Sequence, residues 1–401
     1  MIESIGEEAF NFQDERFADI QMLRYRLPDF ESLTIRQKQL IYCLSEATLF
    51  GRDITFDQFG KYNLRIRKTL EAVYLNFNGD RLEHNFRALE EYLKHVWFAS
   101  GIYHHYACDK FLPLFSEDFF RNEVLAIDSK LLPLNDGESV TSLLNELCPV
   151  IFDPTILPKR VDKSDGKDIV RSSACNYYDG VYQHEVEEFY TKLKKDGPTN
   201  EAPSYGLNST LVKEGDSIRE DVWKIDGKYG AAIEKIVYWL NRAKDFVENA
   251  QQLHVINLLI RYYETGDLHD FDIYSIEWLR EQEGRIDFIN GFIEVYGDPM
   301  GLKGSWEGIV EYKDLEATHR TQAISANAQW FEDHSPVAPQ FRKAIVKGVT
   351  ANVICAAMLG GDEYPASAIG INLPNADWIR AEHGSKSVTI SNLTHAYDMA
   401  A

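Results

Sequence analysis

The chain has 401 residues, with 42 basic and 63 acidic side chains and a formal net charge of −21. Apolar residues make up 44% and aromatics 12%, enough for a packed core, so a chain disordered as a whole is excluded. The acidic balance repels phosphate backbones and anionic lipid and leaves no basic stripe, which argues against a nucleic-acid binder or a membrane-surface protein.

At roughly 150 residues per domain, the length predicts two or three domains or one two-lobed body. The start, MIESIGEEAFNFQDERFADIQ, lacks the basic and apolar regions of a signal peptide. In HNFRALEEYLKHVWFAS, apolar Phe86, Leu89, Leu93, Val96 and Trp97 recur at three- and four-residue steps and predict a helix with one buried face. Residues 153–180 and 195–215 are rich in Pro, Gly, Asp, Lys and Ser and read as loops. A longer helical pattern runs through Ile233, Val237, Leu240, Val247, Leu253, Ile256 and Ile260, with Gly266 as its stop.

After about residue 285 the period changes. Ile286, Phe288, Asn290, Phe292, Glu294 and Tyr296 alternate onto one face of a strand, and Asp287, Ile289, Gly291, Ile293 and Val295 onto the other. Gly297-Asp298-Pro299 breaks it, and SWEGIVEY (305–312) resumes a β pattern, which predicts a hairpin. Residues 315–345 read as helical with breaks at Pro336 and Pro339. VTANVICAAML (349–359), AIGINLPN (368–375) and SVTIS (387–391) are further strands, and Ser391-Asn392 opens a last helix. The fold class is α+β: a largely helical N-terminal part feeding a small β-core.

Most catalytic motifs are absent. There is no GxGxxG after a strand, no phosphate loop and no GxSxG elbow. Cys43, Cys108, Cys148, Cys175 and Cys355 are widely spaced without a CxxC and read as free thiols of a reducing compartment. His184-Glu185 begins like HExxH, but residue 188 is Glu, so a surface helix start is the better reading. His104-His105 would point apart on either a helix or a strand and make a poor metal pair. No metal site assembles from local sequence.

Glu294 and Tyr296 sit on an otherwise apolar strand face just before a Gly-Asp-Pro break. A carboxylate there needs a cation or hydrogen-bond donors, because burying it alone is costly. Either the strand end has reached solvent, or the pair forms a site for a substrate ammonium and a carbonyl oxygen. Asn372 and Asn375 flank Pro374 and offer both donors and acceptors; they form an ordinary turn or a contact for peptide backbone.

The two blocks FIEVYGDPMGLKGSWEGIV and GINLPNADWIRAEHGSKSVTISN resemble the dipeptidyl peptidase III family of zinc metallopeptidases, its bacterial members especially. Weaker agreement extends to GIYHHYACDKFLP, GVYQHEVEEFY and YGLNSTLVKEG. The resemblance implies a two-lobed enzyme with a wide cleft that removes dipeptides from the N-termini of short peptides. Its lower lobe would hold a five-stranded, barrel-like mixed β-core. In this sequence that assigns residues 1–285 to the helical part of the lower lobe, 286–314 and 355–401 to the β-core, and 315–354 to a helical excursion into the upper lobe.

The resemblance also implies that a peptide is added as a strand along Ser367 to Leu373, with Ser367, Ala368, Gly370 and Leu373 on that edge. Glu294 would bind the free α-ammonium, Asn372 and Asn375 would fix the peptide's N-terminal end, and Tyr296 would stabilise the scissile carbonyl. Glu307, in the same block, would be a structural or cleft residue. The family's HExxGH zinc helix and its EExxA(D/E) segment do not occur in these 401 residues. The expectation is therefore the substrate-binding N-terminal portion of a longer cytoplasmic enzyme. Zinc would belong to the full-length family enzyme and not to this chain, which would be inactive alone. Its partners would be short peptides, without nucleic acid or membrane, and the truncated face would self-associate. The alternative is a non-catalytic peptide-binding protein that keeps the strand-pairing groove.

Overall fold

The structure is a computed structural model and describes residues 10–346, 349–365 and 367–400. The N-terminal half is mainly helical, as its periodicity dictates. Thr34 caps helix Ile35–Leu49 through a capping box with Gln37, and Glu83 caps helix His84–Phe98 by accepting from the Asn85 and Phe86 amides. Phe86, Leu89, Leu93 and Val96 are buried as the pattern requires, with Tyr92 beside them. Trp97 is not: it lies at the rim of the apolar stripe, where its indole nitrogen donates to Glu71 at 2.8 Å.

The long pattern from 233 to 260 is two helices, Gly230–Ala243 and Ala250–Thr265. The break comes at Asn249, whose side chain accepts from the Gln252 amide as an N-cap, so a new helix starts where the apolar rhythm alone continues. Gly266 ends the second helix in the left-handed conformation.

Among the described residues ten strands form three sheets. A hairpin of β1 (Gln13–Phe17) and β2 (Ile20–Leu23) stands near the N-terminus. A three-stranded sheet joins β3 (Tyr178–Asp179), β4 (Ser209–Glu214) and β5 (Ser217–Val222). It corrects the loop expectation for 209–214. Ser209 and Thr210 are buried polar residues satisfied by Glu220 and the Trp223 indole, so the strand buries hydroxyls where the pattern sought hydrocarbon.

The largest sheet holds β6 (Ile286–Glu294), β7 (Ser305–Lys313), β8 (Val349–Gly361), β9 (Gly370–Leu373) and β10 (Ser385–Ile390) in the order β6-β7-β8-β10-β9. All its pairings are antiparallel except β8 with β10, so it is mixed and five-stranded as expected. It is not a closed barrel, because the edge strands β6 and β9 do not pair. It is nevertheless strongly curled: Lys386 on β10 donates to Asp287 on β6 at 2.9 Å although β7 and β8 lie between them in the sheet. Helices Leu315–Ala326 and Ala328–Asp333 lie between β7 and β8, and β8 begins at Val349.

Helices 35–49, 230–243 and 250–265 pack on this sheet and share its core, where Trp306 and Phe292 are wholly buried. Gln58 fixes the start of β7: its amide donates to the Gly304 carbonyl at 3.0 Å, and its carbonyl accepts from the Trp306 amide at 2.8 Å. A separate core joins helices between residues 63 and 152.

Candidate functional site

The register of β6 against β7 shifts between Phe292 and Glu294: Phe292 stands opposite Trp306, and Glu294 opposite Ser305. One extra residue on β6 turns the strand over at this bulge. Phe292 points into the core against Trp223, 4.9 Å away between ring centres. Glu294 therefore falls on the side of Ile289 and Ile293, not on that of Phe292 as simple alternation required. Tyr296 lies beyond the strand, in the connection to β7, and is 81% exposed.

Glu294 Oε1 accepts from Asn375 Nδ2 at 3.2 Å. Burial raises the Glu294 carboxyl above its ordinary value, and the Asn375 bond opposes this. Asn375 follows Pro374 just past β9, so the contact joins the ends of the two unpaired edge strands.

A trough of about 620 Å³ opens on one side of this contact, lined by Glu294, Tyr296, Ser367, Ala368, Gly370, Asn372 and Asn375. Seven of the eight residues expected at the site thus line one space. Leu373 does not: it is 4% exposed and packs in the core. Among the described residues the outer edge of β9 pairs with no strand, and its inner edge pairs with β10 from Gly370 to Leu373. Ser367 and Ala368 lie outside the strand. The Ser367 hydroxyl and the Ala368 amide both donate to Glu363 Oε2, at 2.9 and 3.3 Å. Asn372 donates to the hydroxyls of Ser385 and Ser387.

The other wall of the trough carries residues that local pattern did not single out: Arg160, Asp362 and Glu363, with His105 beside them. Arg160 stacks 4.2 Å over the Phe59 ring and donates to the His105 carbonyl at 3.0 Å. Asp362 is pushed up to about 6 by burial, against the pull of Arg160. Asp362-Glu363 follows Gly360-Gly361 at the end of β8, as Asp298 follows Gly297 after β6, so an acid behind a strand-ending glycine was the available signal. The rings of His104 and His105 stack 4.5 Å apart, because the pair sits in an irregular turn and not on a helix or strand. Burial, then His104 and Arg160, pushes His105 down to about 4.

Beneath the trough Glu307 is 1% exposed and its Oε2 has no hydrogen-bond partner among the described residues. Burial first, then the charges of Glu363, Glu294 and Asp362, holds it far above the carboxylate range. On the opposite side of the Glu294–Asn375 contact lies a cavity of about 810 Å³, walled by Phe271, Asp272, Tyr274, Trp278 and Trp378.

The open edge of β9 thus borders a trough that also holds the Glu294 carboxylate and the Asn372 and Asn375 amides. The profile of peptidase family M49 matches residues 178–400, and the chain belongs to that family, one of zinc metallopeptidases. Dipeptidyl peptidase 3 of Nematostella vectensis is 22% identical over 343 residues, covering 79% of this chain and 46% of that protein. The Homo sapiens dipeptidyl peptidase 3 is 27% identical over 167 residues, 42% of this chain and 22% of that one. The solved structure of DPP III from Caldithrix abyssi superposes with a TM-score of 0.65 at 16% identity, over 92% of this chain and 58% of that one. The dipeptidyl-peptidase III of Corallococcus sp. strain EGB gives the same TM-score over 94% and 57%. The chain spans about half the length of the Nematostella protein and of these solved chains, or less of other relatives.

Proposed function

We propose that this chain supplies the peptide-binding surface of a dipeptidyl peptidase of the M49 type, an enzyme that releases dipeptides from peptide N-termini. The observation that carries the reading is the Glu294–Asn375 contact at the mouth of a trough bordered by the open edge of β9. In this reading a peptide lies along Gly370–Leu373 as an added strand, with main-chain bonds that ignore side-chain identity. Glu294 takes the α-ammonium, Asn375 and Asn372 fix the N-terminal residue, and the Tyr296 hydroxyl donates to the carbonyl of the scissile bond. Because Ser367 and Ala368 are bonded to Glu363, the working edge in this reading is shorter than the sequence suggested and starts near Gly370.

Among the described residues no three His, Cys, Asp or Glu side chains are grouped to hold a metal ion. The described residues therefore offer zinc no ligand set. We propose that this chain alone binds peptide without cleaving it, and that the division into a lower-lobe β-core and a helical excursion from residue 315 applies here, with 349–354 counted in the β-core because they pair with β10. The second reading is a non-catalytic peptide-binding protein that keeps the strand-pairing groove, which the open edge of β9 supports equally. The five cysteines, all free, support a reducing, cytoplasmic setting. Among the described residues no helix is long and apolar enough to cross a membrane.

The test pairs a dipeptidyl-arylamide assay with added zinc and calorimetry on a short peptide and its N-acetyl form. Binding that needs the free amine, without turnover, is the expected result. Chelator-sensitive turnover overturns the assignment of catalysis elsewhere, and equal heats for both peptides overturn the role of Glu294.

A further inference from the structure

The connection that carries Tyr296 is anchored at its far end by a cation with no contact to solvent. Lys303 is 0% exposed. Its Nζ donates to the Tyr190 hydroxyl and, at 3.0 Å, to Ser209 Oγ. Both hydroxyls in turn donate to Glu220 Oε1, at 2.8 and 2.6 Å. Helix Gln183–Asp196, β4 and β5 thus converge on one side chain from the β6–β7 connection.

The rest of the connection is tied down as tightly. Asp298, also 0% exposed, accepts from the amides of Met300, Leu302 and Lys303 at 3.1, 2.8 and 2.9 Å and from the Tyr178 hydroxyl at 2.8 Å. The Gly304 amide donates to the Leu207 carbonyl at 2.8 Å. Burial pushes the Lys303 ammonium down to about 8, against the pull of Glu220 and Asp298. A buried cation is a weak source of stability, since an apolar side chain of similar shape often serves as well or better; its best-attested use is to specify one arrangement among several.

We propose that Lys303 is a positioning residue: through Tyr190, Ser209 and Glu220 it fixes the turn that presents Tyr296, and so sets Tyr296 against Glu294 for an incoming peptide. The proposal rests on the peptide-binding reading of those two residues. It assigns the three-stranded sheet a part in the site that none of that sheet's own residues plays by contact.

The test uses Lys303→Met, Tyr190→Phe and the double variant in the full 401-residue chain. Three readouts are compared: thermal unfolding, calorimetry with tetra-alanine and its N-acetyl form, and amide hydrogen exchange over 300–304. Lys303→Met is expected to lower Tm, because Tyr190, Ser209 and Glu220 lose their cation, while affinity for the free-amine peptide falls about tenfold with faster exchange confined to 300–304. Exchange at Leu302 and Gly304 rises at the same time, and Tyr190→Phe adds little to Lys303→Met because the two act through one network. Unchanged affinity and unchanged exchange overturn the proposal. So does a loss of affinity that tracks a drop in Tm with faster exchange throughout the chain, which marks Lys303 as merely structural. If the unmodified chain does not distinguish free from acetylated peptide, the binding reading fails by itself. Exchange over 300–304 then decides alone: faster in Lys303→Met, the anchoring stands; unchanged, it falls.

Discussion

Asn375 gives its amide hydrogen to Glu294 across a gap that the two edge strands of the sheet leave open. The bond is neutral-to-anion, and an incoming ammonium offers Glu294 a stronger partner. A charge-assisted contact of that kind is worth about 1.5–3 kcal/mol, so Glu294→Gln should weaken free-amine peptides by roughly ten- to a hundredfold and leave N-acetyl peptides unaffected. Calorimetry on both peptides checks it.

The pH dependence of that binding follows from the same residue. Only the ionised carboxylate pairs with an ammonium, and burial raises Glu294 above its ordinary value of about 4.3. Affinity should therefore peak below about pH 8, where the peptide α-amine is still an ammonium, and fall on acidification earlier than for an ordinary glutamate. Asn375→Ala removes the bond that opposes burial and should move the fall to still higher pH. A titration of Kd against pH, with and without that variant, shows the shift.

Asp272, in the wall of the larger cavity, is pushed up to about 7 by burial and then by Asp267. An acid whose folded value is raised stays protonated in the fold up to about pH 7, while the unfolded chain ionises near 3.9. Its cost to stability therefore grows from about pH 4 to pH 7 and is constant above. Asp272→Asn should stabilise the chain at pH 8 by on the order of 1–3 kcal/mol, since residual solvation reduces the full linkage value, and by nothing at pH 4. Denaturant melts at the two pH values decide.

Gly51 has an ordinary backbone conformation, φ −76, so alanine there is not strained. Its Cβ would nevertheless fall 2.1 Å from the buried ring of Trp306, whose indole donates to the Tyr263 hydroxyl. Gly51→Ala should cost about 1–3 kcal/mol or more through overpacking. The measurement is the shift in denaturant midpoint at constant slope.

The Lys386–Asp287 pair holds the curl of the sheet, with the Trp278 indole donating to the other Asp287 oxygen at 3.0 Å. Glu311 lies close by, raised to about 8 by burial and by Asp287 while Lys386 pulls it down. Lys386→Met leaves buried acids without their cation and should cost about 3–5 kcal/mol. Adding Asp287→Asn should recover much of that loss, and a double-mutant cycle measures how much.

The alternation of 286–293 made the hairpin legible from the residues, whereas the five-stranded mixed sheet and the grouping of Glu294 with Asn375 came only from the family resemblance that the two long blocks carry. The face of Glu294 was not legible, because a bulge is one residue of register that no hydrophobic pattern records. Strand β4 was hidden by its buried hydroxyls, and the break at Asn249 by apolar residues that keep time on both sides of it. Arg160, Asp362 and Glu363 reach the trough only through tertiary folding, some two hundred residues separating the first from the other two.

An unpaired rim cannot tell whose backbone completes it. The row of donors and acceptors along Gly370–Leu373 would zip onto the matching segment of a second copy as readily as onto a short oligomer of amino acids. If the proposed peptide site is right, the two occupants would exclude each other, and a dimer stitched through this rim would dissolve in excess peptide.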